Sequence, residues 1–323
     1  MSLFVEDISF TGSTNQINHL ADILTSITSI NHHATISIKQ SGITIYASYN
    51  HIITVRVIID PSLFNIYNLT GSEEAELRLS VDINLISECF TSVSNSKPDS
   101  VICLLNYQGD GYPLVIEFED NLISEKLEFL TFYQEEEEEQ EVIDYGSVDM
   151  ELIVKSDVLS NMLYDLHQIN TEDLYIYTKP DCLRFTSMGP IGIVKLIFPN
   201  EKTILEKVEI NKPYMISKFS FNNFFKIFKA VKFSFKCKMI KDNQGRFSIQ
   251  LLVKNNSHNY SGTLIQFNML EINHDEGYMD ILEDEEEGVV DIQRTMYEGE
   301  KRVEEVQRAV KNVGGAVEIP LFL

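Results

Sequence analysis

Most of this chain alternates apolar and polar residues with the period of two that is typical of half-buried β-strands. Segments with this alternation, or with short buried apolar runs, are 34–39, 52–59, 77–81, 101–107, 114–118, 152–155, 174–177, 183–187, 193–198, 247–253 and 264–270. The alternation is clearest over 233–239, where one face is apolar and the other carries a serine and two lysines. The pattern predicts a protein built mainly from β-sheet.

Four segments change to the i, i+3, i+4, i+7 spacing of an amphipathic helix. They are 15–28, 82–94, 157–168 and 221–231. Asp82, Ser156 and Ser220 stand at the start of the last three and belong to the residue types that cap helix N-termini. The helices begin about 65–75 residues apart, each followed by several strands, which indicates four copies of a helix-plus-strands unit.

Two acidic runs, 135–139 and 283–287, divide the chain. Blocks of like charge repel one another and seldom enter a packed core. The predicted fold class is therefore α+β, with two similar domains that each pack two helices on antiparallel β-sheet. The expected boundaries are a first domain over 1–132, an acidic linker over 133–148, a second domain over 149–274 and an acidic tail over 275–323.

The tail carries apolar residues in a seven-residue repeat. The repeat suits an amphipathic helix over 291–313 that docks on a partner or on the body of the protein. The glycine at 299 and the many valines of the repeat favour a mostly disordered tail as the alternative, because such a helix would be only marginally stable. The chain ends on a second apolar feature, the candidate docking motif formed by Ile319, Leu321 and Phe322.

The formal net charge is −23 over 323 residues, which argues against a protein that wraps nucleic acid tightly. The charge is unevenly distributed along the chain. Residues 1–132 carry a net −11, and the segments 133–150 and 276–323 carry −8 each, whereas 151–275 hold sixteen basic against twelve acidic residues. The positive charge is therefore concentrated in the second predicted domain.

The lysines of that domain gather around the fourth predicted helix. Lys226 falls nearly opposite the phenylalanine stripe, Lys229 flanks the stripe, and Lys218 precedes the helix. Such an array suits phosphate contacts, which need cations but no base-reading geometry, although a solvated polar face has the same composition. The other helices are poorer in cations, with Lys155 before the third and Lys97 beyond the second.

No catalytic constellation emerges from the remaining polar residues. The seven histidines and four cysteines lack the spacings of a metal site, so we expect free, buried thiols, no metal and no cofactor. Glycines near 109–111 and 189–192 predict hairpin turns rather than phosphate loops. Glu117, Glu119 and Asp120 are acidic, but a charged strand end explains them without metal chemistry. We expect a non-catalytic protein.

The chain begins without the basic and apolar regions of a signal peptide. No apolar run approaches the roughly 18–20 residues that a membrane-spanning helix needs. We therefore expect an intracellular protein.

Two similar domains with two helices each resemble the sliding-clamp (PCNA-like) fold. Several segments narrow this resemblance to the Rad-one-type (in budding yeasts Rad-seventeen) subunits of the 9-1-1 DNA-damage checkpoint clamp. They are 107–114 (YQGDGYPL), 118–125 (FEDNLISE), 183–189 (LRFTSMG), 193–196 (IVKL), 219–226 (FSFNNFFK) and 319–322 (IPLF). The order and spacing of these segments are more specific than any one of them.

The resemblance implies a heterotrimeric ring with two other clamp-like subunits. A clamp loader would place this ring in the nucleus at junctions of single- and double-stranded DNA, where it recruits a checkpoint kinase assembly and repair factors. The outward helix faces, with Lys226 and Lys229, would line the bore and contact double-stranded DNA without sequence preference. Neighbours would pair through edge strands by β-augmentation. The interface residues implied are Ile123, Leu127, Phe129, Ile193, Lys195 and Ile197.

Three alternatives stay open at this point. A homotrimeric replication clamp shares the fold, but it would have more evenly basic helices and no long acidic tail. A metal-dependent 3′–5′ exonuclease would depend on carboxylates such as Asp110, Glu117 and Asp120. An acidic scaffold would have the same composition and never touch DNA.

Overall fold

The computed structural model describes residues 8–72, 74–96, 101–133, 143–180, 182–255, 260 and 262–273. Its helices are α1 (Ile17–Ile27), α2 (Ile83–Ser96), α3 (Ser156–Gln168), α4 (Phe221–Phe224) and α5 (Phe228–Phe233), with a 3-10 turn, Phe225–Ile227, joining the last two. None of the helices in these ranges is long and apolar enough to cross a membrane.

The strands of the described ranges form two copies of one element order. The first copy contains β1 (Phe10–Thr14), β2 (His33–Lys39), β3 (Gly42–Tyr49), β4 (Ile53–Ile59), β5 (Ile66–Leu69), β6 (Glu76–Asp82), β7 (Ile102–Tyr107), β8 (Leu114–Glu119) and β9 (Ser124–Phe129). The second contains β10 (Val148–Lys155), β11 (Asp173–Lys179), β12 (Cys182–Gly189), β13 (Gly192–Pro199), β14 (Leu205–Ile210), β15 (Met215–Ser220), β16 (Lys236–Asp242), β17 (Phe247–Val253) and β18 (Thr263–Met269).

Each copy reads strand, helix, five strands, helix, three strands. The repeat predicted from the helix spacing and the α+β class are therefore confirmed. The predicted domain boundaries stay predictions, because much of the 133–148 linker and all of the chain from 274 onward lie outside the described residues.

Three antiparallel sheets carry the fold. Their strand orders are β5-β1-β7-β8-β9, β14-β10-β16-β17-β18-β4-β3-β2-β6 and β13-β12-β11-β15. The nine-stranded sheet runs through both halves, since β18 pairs with β4 over Leu264↔Ile58 to Met269↔Ile53. The two halves are therefore joined by a backbone ladder as well as by the connecting segment.

Helix capping differs from the sequence prediction at two of three positions. The Asp82 carboxylate accepts hydrogen bonds from the backbone N–H groups of Asn84 (3.0 Å) and Leu85 (3.1 Å), as a cap should. Ser156 instead lies inside α3, and its hydroxyl bonds that of Ser234 at 2.7 Å. Ser220 occupies the N-cap position of α4 without a side-chain capping bond.

The alternation over 233–239 was also partly misleading. The strand β16 begins only at Lys236, because Phe233 still belongs to α5. Cys237 and Met239 are buried as predicted, but Phe235 is 50% exposed, and the Lys254 ammonium lies 3.4 Å from the centre of its ring. The local period of two therefore spans a helix end and a strand start.

The four cysteines are thiols rather than disulfides, as predicted. Cys103 and Cys237 are buried, whereas Cys89 and Cys182 are only half-buried, so the expectation of burial holds for two of the four. The glycine-containing turns are confirmed. Gly189 pairs with Gly192 across a two-residue hairpin, and Gly109 has the positive φ of 100° that a glycine adopts without a steric penalty.

Candidate functional site

The helices form one continuous layer in the order α2, α1, α5, α3. The α1–α2 contact is polar, with the Thr25 hydroxyl 3.2 Å from that of Ser87 and the Ser94 hydroxyl bound to Asn18 at 2.5 Å. The α3 contact with the fourth helical segment is aromatic, since the rings of His167 and Phe225 stack at 4.2 Å. The layer crosses from one half of the chain to the other between α1 and α5.

The charge of this layer is uneven. Among the described residues of the helical segments, lysines occur only in the fourth, as Lys226, Lys229 and Lys232. The other helices contribute carboxylates instead, which are Asp22, Glu88, Asp157 and Asp165. Only one part of the layer therefore offers cations to a polyanion.

Lys229 and Lys232 are exposed on α5. The exposure of Lys232 was not predicted, because in an uninterrupted α-helix with 100° per residue Lys232 would lie on the same side as the apolar stripe. The 3-10 turn Phe225–Ile227 changes the direction in which the side chains of α5 point. Each of its three residues turns the chain by about 120° instead of 100°, so α5 is rotated by about 60° relative to an uninterrupted helix. The run of four phenylalanines gives no sequence signal for that turn.

Lys226 does not face solvent in the way the sequence suggested. Its Nζ donates a hydrogen bond to the Ser29 carbonyl at 3.0 Å and lies 4.1 Å from the centre of the Tyr49 ring. The Ser29 hydroxyl donates in return to the Lys226 carbonyl at 2.7 Å. Lys226 therefore joins the second half of the chain to the first.

Two more lysines lie away from the exposed helix faces. Lys218 lies on strand β15, where its ammonium is 3.0 Å from Asp173 Oδ2 and 5.3 Å from the centre of the Tyr175 ring, so it does not belong with the exposed lysines of the helix layer, contrary to the predicted phosphate-contacting array. Burial lowers the pKa of Lys218, but hydrogen bonds to Asp173 and Tyr175 outweigh burial and hold it above its usual value. Lys155 is half-buried immediately before α3. Lys97 lies outside the described residues.

His19 is the basic side chain of α1, and it is buried rather than presented by the layer. Its Nε2 lies 2.9 Å from the Thr263 hydroxyl, which is itself 2.7 Å from the Tyr260 hydroxyl. Burial lowers the pKa of His19 to about 4, so the imidazole is neutral at pH 7. Since Thr263 lies on β18, this contact also links the two halves.

The two segments assigned to subunit contacts lie at open sheet edges. Strand β9 ends the five-stranded sheet, and strand β13 ends the four-stranded one. On the first edge Leu127 and Phe129 are half-buried, and Ile123 precedes the strand with 68% exposure. On β13 the exposed fractions are 49% for Ile193 and 37% for Ile197. Lys195 lies between them and is half-buried. Both edges thus combine available backbone with exposed apolar side chains.

Two of the acidic candidates for metal chemistry, Asp120 and Glu117, have structural roles. The Asp120 carboxylate accepts the N–H groups of Leu122 and Ile123, both at 2.7 Å, and so closes the β8–β9 turn. Glu117 accepts a hydrogen bond from the Ser124 hydroxyl. Within the described residues, no three His, Cys, Asp or Glu side chains come together as a metal site. The tail residues Ile319, Leu321 and Phe322 lie outside those residues, as does the predicted helix 291–313.

Comparison with known proteins shows which sequence family the chain matches. The family model described as "Repair protein Rad1/Rec1/Rad17" matches residues 9–253. The DNA damage checkpoint control protein RAD17 of Saccharomyces cerevisiae is 28% identical over 260 residues, covering 75% of this chain and 65% of that protein. The protein of the same name from Eremothecium gossypii is 27% identical over 237 residues, covering 69% and 61%. This chain thus spans less than two thirds of either yeast relative.

A human relative and two solved structures extend the comparison. The cell cycle checkpoint protein RAD1 of Homo sapiens is 22% identical over 256 residues, covering 77% of this chain and 88% of that protein. The proliferating cellular nuclear antigen of Entamoeba histolytica superposes with a TM-score of 0.67 at 13% identity, over 82% of this chain and 99% of that one. The PCNA2–PCNA3 complex of Sulfolobus tokodaii gives 0.66 at 12% identity, over 81% and 98%. The fold is therefore PCNA-like.

Proposed function

This chain belongs to the Rad1/Rec1/Rad17 repair-protein family, and from that premise we propose that it is a non-catalytic subunit of a heterotrimeric DNA-damage checkpoint clamp of the 9-1-1 type. Its two partners in the ring would be clamp-like subunits of the same fold. The ring would encircle double-stranded DNA at damage junctions in the nucleus.

The observation that carries the proposal is that β9 in the first half and β13 in the second each lie at the end of a sheet with exposed apolar side chains. An open strand edge can pair with an edge of another chain through backbone hydrogen bonds. Because the two edges differ, their pairing is head-to-tail, and a head-to-tail contact generates a ring when its rotation closes. Two edges on one PCNA-like chain therefore support a closed ring.

Contact with DNA in such a ring would be weak and independent of sequence. The exposed cations of the helix layer, Lys229 and Lys232, suit phosphate oxygens, and they are accompanied by the carboxylates of the other helices. An encircling protein is retained by topology, so few phosphate contacts suffice and many would slow sliding. The net negative charge of the chain is compatible with retention by encirclement.

The remaining partners follow from the same proposal. A closed ring needs a clamp loader to open it on DNA. A ring that marks damage would recruit a checkpoint kinase assembly and repair factors. The names of the yeast and human relatives, which are checkpoint proteins, support these roles.

Native mass measurement tests the assembly. The chain is purified alone and after co-expression with the two other PCNA-like subunits from the same source. We expect a complex containing one copy of each of the three subunits and no stable self-trimer of this chain. A stable homotrimer would contradict the proposal and favour a replication clamp.

A further inference from the structure

One exposed aromatic side chain lies at the border between the helix layer and the nine-stranded sheet. Phe235 follows the end of α5 and precedes β16, and its N–H donates to the Leu252 carbonyl at 3.0 Å. Its own carbonyl accepts from the Ser156 N–H at 3.4 Å, where α3 begins. The backbone of Phe235 is therefore fixed on both sides, while its side chain is 50% exposed.

An ammonium group lies on the ring of Phe235. Lys254 Nζ is 3.4 Å from the ring centre, and Lys236 Nζ is 5.7 Å from it. Lys254 is exposed immediately after β17, whereas Lys236 is paired with Glu206 at 2.5 Å. Cation–π attraction thus holds an exposed lysine against an exposed aromatic ring. Positive charge and aromatic surface are presented side by side.

The exposed lysines of α5 continue this basic surface. Lys232 comes three residues before Phe235, so their Cα atoms are at most about 11 Å apart, and Lys229 is one helical turn earlier. Within the described ranges, Lys229, Lys232 and Lys254 form no ion pair. The segments 210–241 and 243–270, which contain all of these residues, hold no aspartate or glutamate.

Two carboxylates border the surface, and both have partners. Glu206 is paired with Lys236, and the Asp157 carboxylate accepts from the Val158 N–H at 2.8 Å in the first turn of α3. The three lysines without an ion pair therefore remain available to an external anion.

The combination of cations and an exposed ring distinguishes between polyanions. A DNA duplex offers phosphates, but its bases are stacked on one another and leave no free face for an aromatic side chain. An unpaired nucleotide offers a free base face as well as phosphates, and proteins bind single strands by stacking bases on aromatic side chains along basic surfaces. An exposed phenylalanine among unpaired lysines therefore fits a single strand better than a duplex.

We propose that Phe235, Lys232 and Lys254 bind single-stranded DNA. The Phe235 ring takes one unpaired base by stacking, and the two ammonium groups take the adjoining phosphates. The site lies within one chain and needs no ring. Its role in the assembled clamp rests on the proposed function: because it borders Lys229 on the helix layer, it would hold the unpaired strand of a damage junction where that strand leaves the bore.

Photochemical cross-linking of the full-length chain to an oligothymidylate that carries one 5-iodouracil tests the base contact. Iodouracil couples to an aromatic ring stacked on it, and mass spectrometry identifies the coupled residue. We expect the main cross-link at Phe235. A main cross-link at another aromatic residue, or no cross-link at saturating oligonucleotide, would overturn the proposal.

Substitutions of the ring separate stacking from general electrostatic attraction. For Phe235→Leu we expect at least about fivefold weaker binding of oligothymidylate, measured by fluorescence anisotropy, and unchanged binding of blunt duplex DNA, because only the unpaired base stacks on the ring. Phe235→Tyr keeps the ring, and Tyr112→Leu removes a 53% exposed ring from the first half, so both should bind as the parent does. Urea midpoints verify that each variant is folded. Parent affinity in Phe235→Leu, or equal losses for single strand and duplex, would overturn the stacking contact.

Poly-glutamate separates nucleic acid from an acidic peptide as the ligand. We expect it to displace labelled oligothymidylate only at a charge concentration at least about fivefold higher than unlabelled oligothymidylate requires, because it has no base to stack. Displacement at equal charge concentration would overturn the preference for DNA. Since the isolated chain carries the whole site, failure of ring assembly in native mass measurement would leave these binding results unchanged.

Discussion

The ammonium of Lys226 donates a hydrogen bond to the backbone carbonyl of Ser29 at 3.0 Å, so a side chain of the fourth helical segment is fixed to the end of α1. The same ammonium lies 4.1 Å from the centre of the Tyr49 ring. A lysine that the sequence places on a DNA-facing surface therefore has a structural role between the two halves of the chain.

Lys226→Met keeps the aliphatic stem and removes the charge. We expect it to lower the free energy of unfolding by about 1–2 kcal/mol, because a charged hydrogen bond and a half-buried cation–π contact are both lost. Urea denaturation at pH 7 measures this. Lys232→Met, at an exposed site on the same helical segment, should stay within about 0.5 kcal/mol of the parent. Equal losses in the two variants would show that the Ser29 contact contributes nothing specific.

Lys229→Glu combined with Lys232→Glu reverses the exposed cations of the helix layer. We expect about tenfold weaker binding of the assembled ring to duplex DNA at low salt, and a log–log salt slope smaller by about 2, because two phosphate contacts are lost. Fluorescence anisotropy across a salt series measures both quantities. The control is Lys202→Glu with Lys212→Glu, the same charge change on loops beside β14. Equal DNA affinity of the two variants would show that Lys229 and Lys232 of the helix layer do not contact DNA.

Ile193→Glu places a charge on the β13 edge. We expect at least a tenfold loss of co-purification with the neighbouring subunit and an unchanged urea midpoint, because a 49% exposed side chain contributes little to the core of the isolated chain. Ile66→Glu is the matched control, since Ile66 is 56% exposed and lies on β5, the opposite edge of the five-stranded sheet. A loss of assembly in the control but not in Ile193→Glu would place the interface elsewhere.

His19 makes stability depend on pH. Its folded pKa of about 4 lies below the unfolded value of 6.5, so the unfolded chain binds more protons between these values. The stability associated with neutral His19 is complete above pH 6.5 and is lost as pH falls toward 4, by about 2 kcal/mol at pH 5. In His19→Gln the difference in unfolding free energy between pH 7 and pH 5 should be smaller by that amount. The same pH dependence in both proteins would contradict the assignment.

The sequence predicts regular elements well where burial of one face determines the spacing. The apolar stripes of α1 and α3 are buried as predicted, and every strand expected from alternation exists within a few residues. Strands β1, β3, β5, β14 and β15 were not predicted. In β3, for example, buried Ile43, Ile45 and Ala47 do alternate with Thr44 and Tyr46, but the alternation is short and its outer face carries a tyrosine.

The candidate site was less predictable because it depends on contacts between distant residues. Lys226 and Ser29 are 197 positions apart, and no local pattern reveals that they meet. The exposure of Lys232 depends on the 3-10 turn Phe225–Ile227, which a uniform helical period does not reveal. The edges β9 and β13 were correctly located through family resemblance, since alternation identifies a strand but not its position in a sheet.

The central claim, that this chain is part of a ring encircling DNA, is tested most directly by the topology of the DNA. The three-subunit complex is loaded by its clamp loader onto a nicked circular plasmid, and retention is measured by gel filtration before and after a restriction enzyme linearises the plasmid. We predict that the complex stays on the circle and is lost within minutes from the linear form, whose free ends allow a ring to slide off. Equal retention on circular and linear DNA would contradict encirclement.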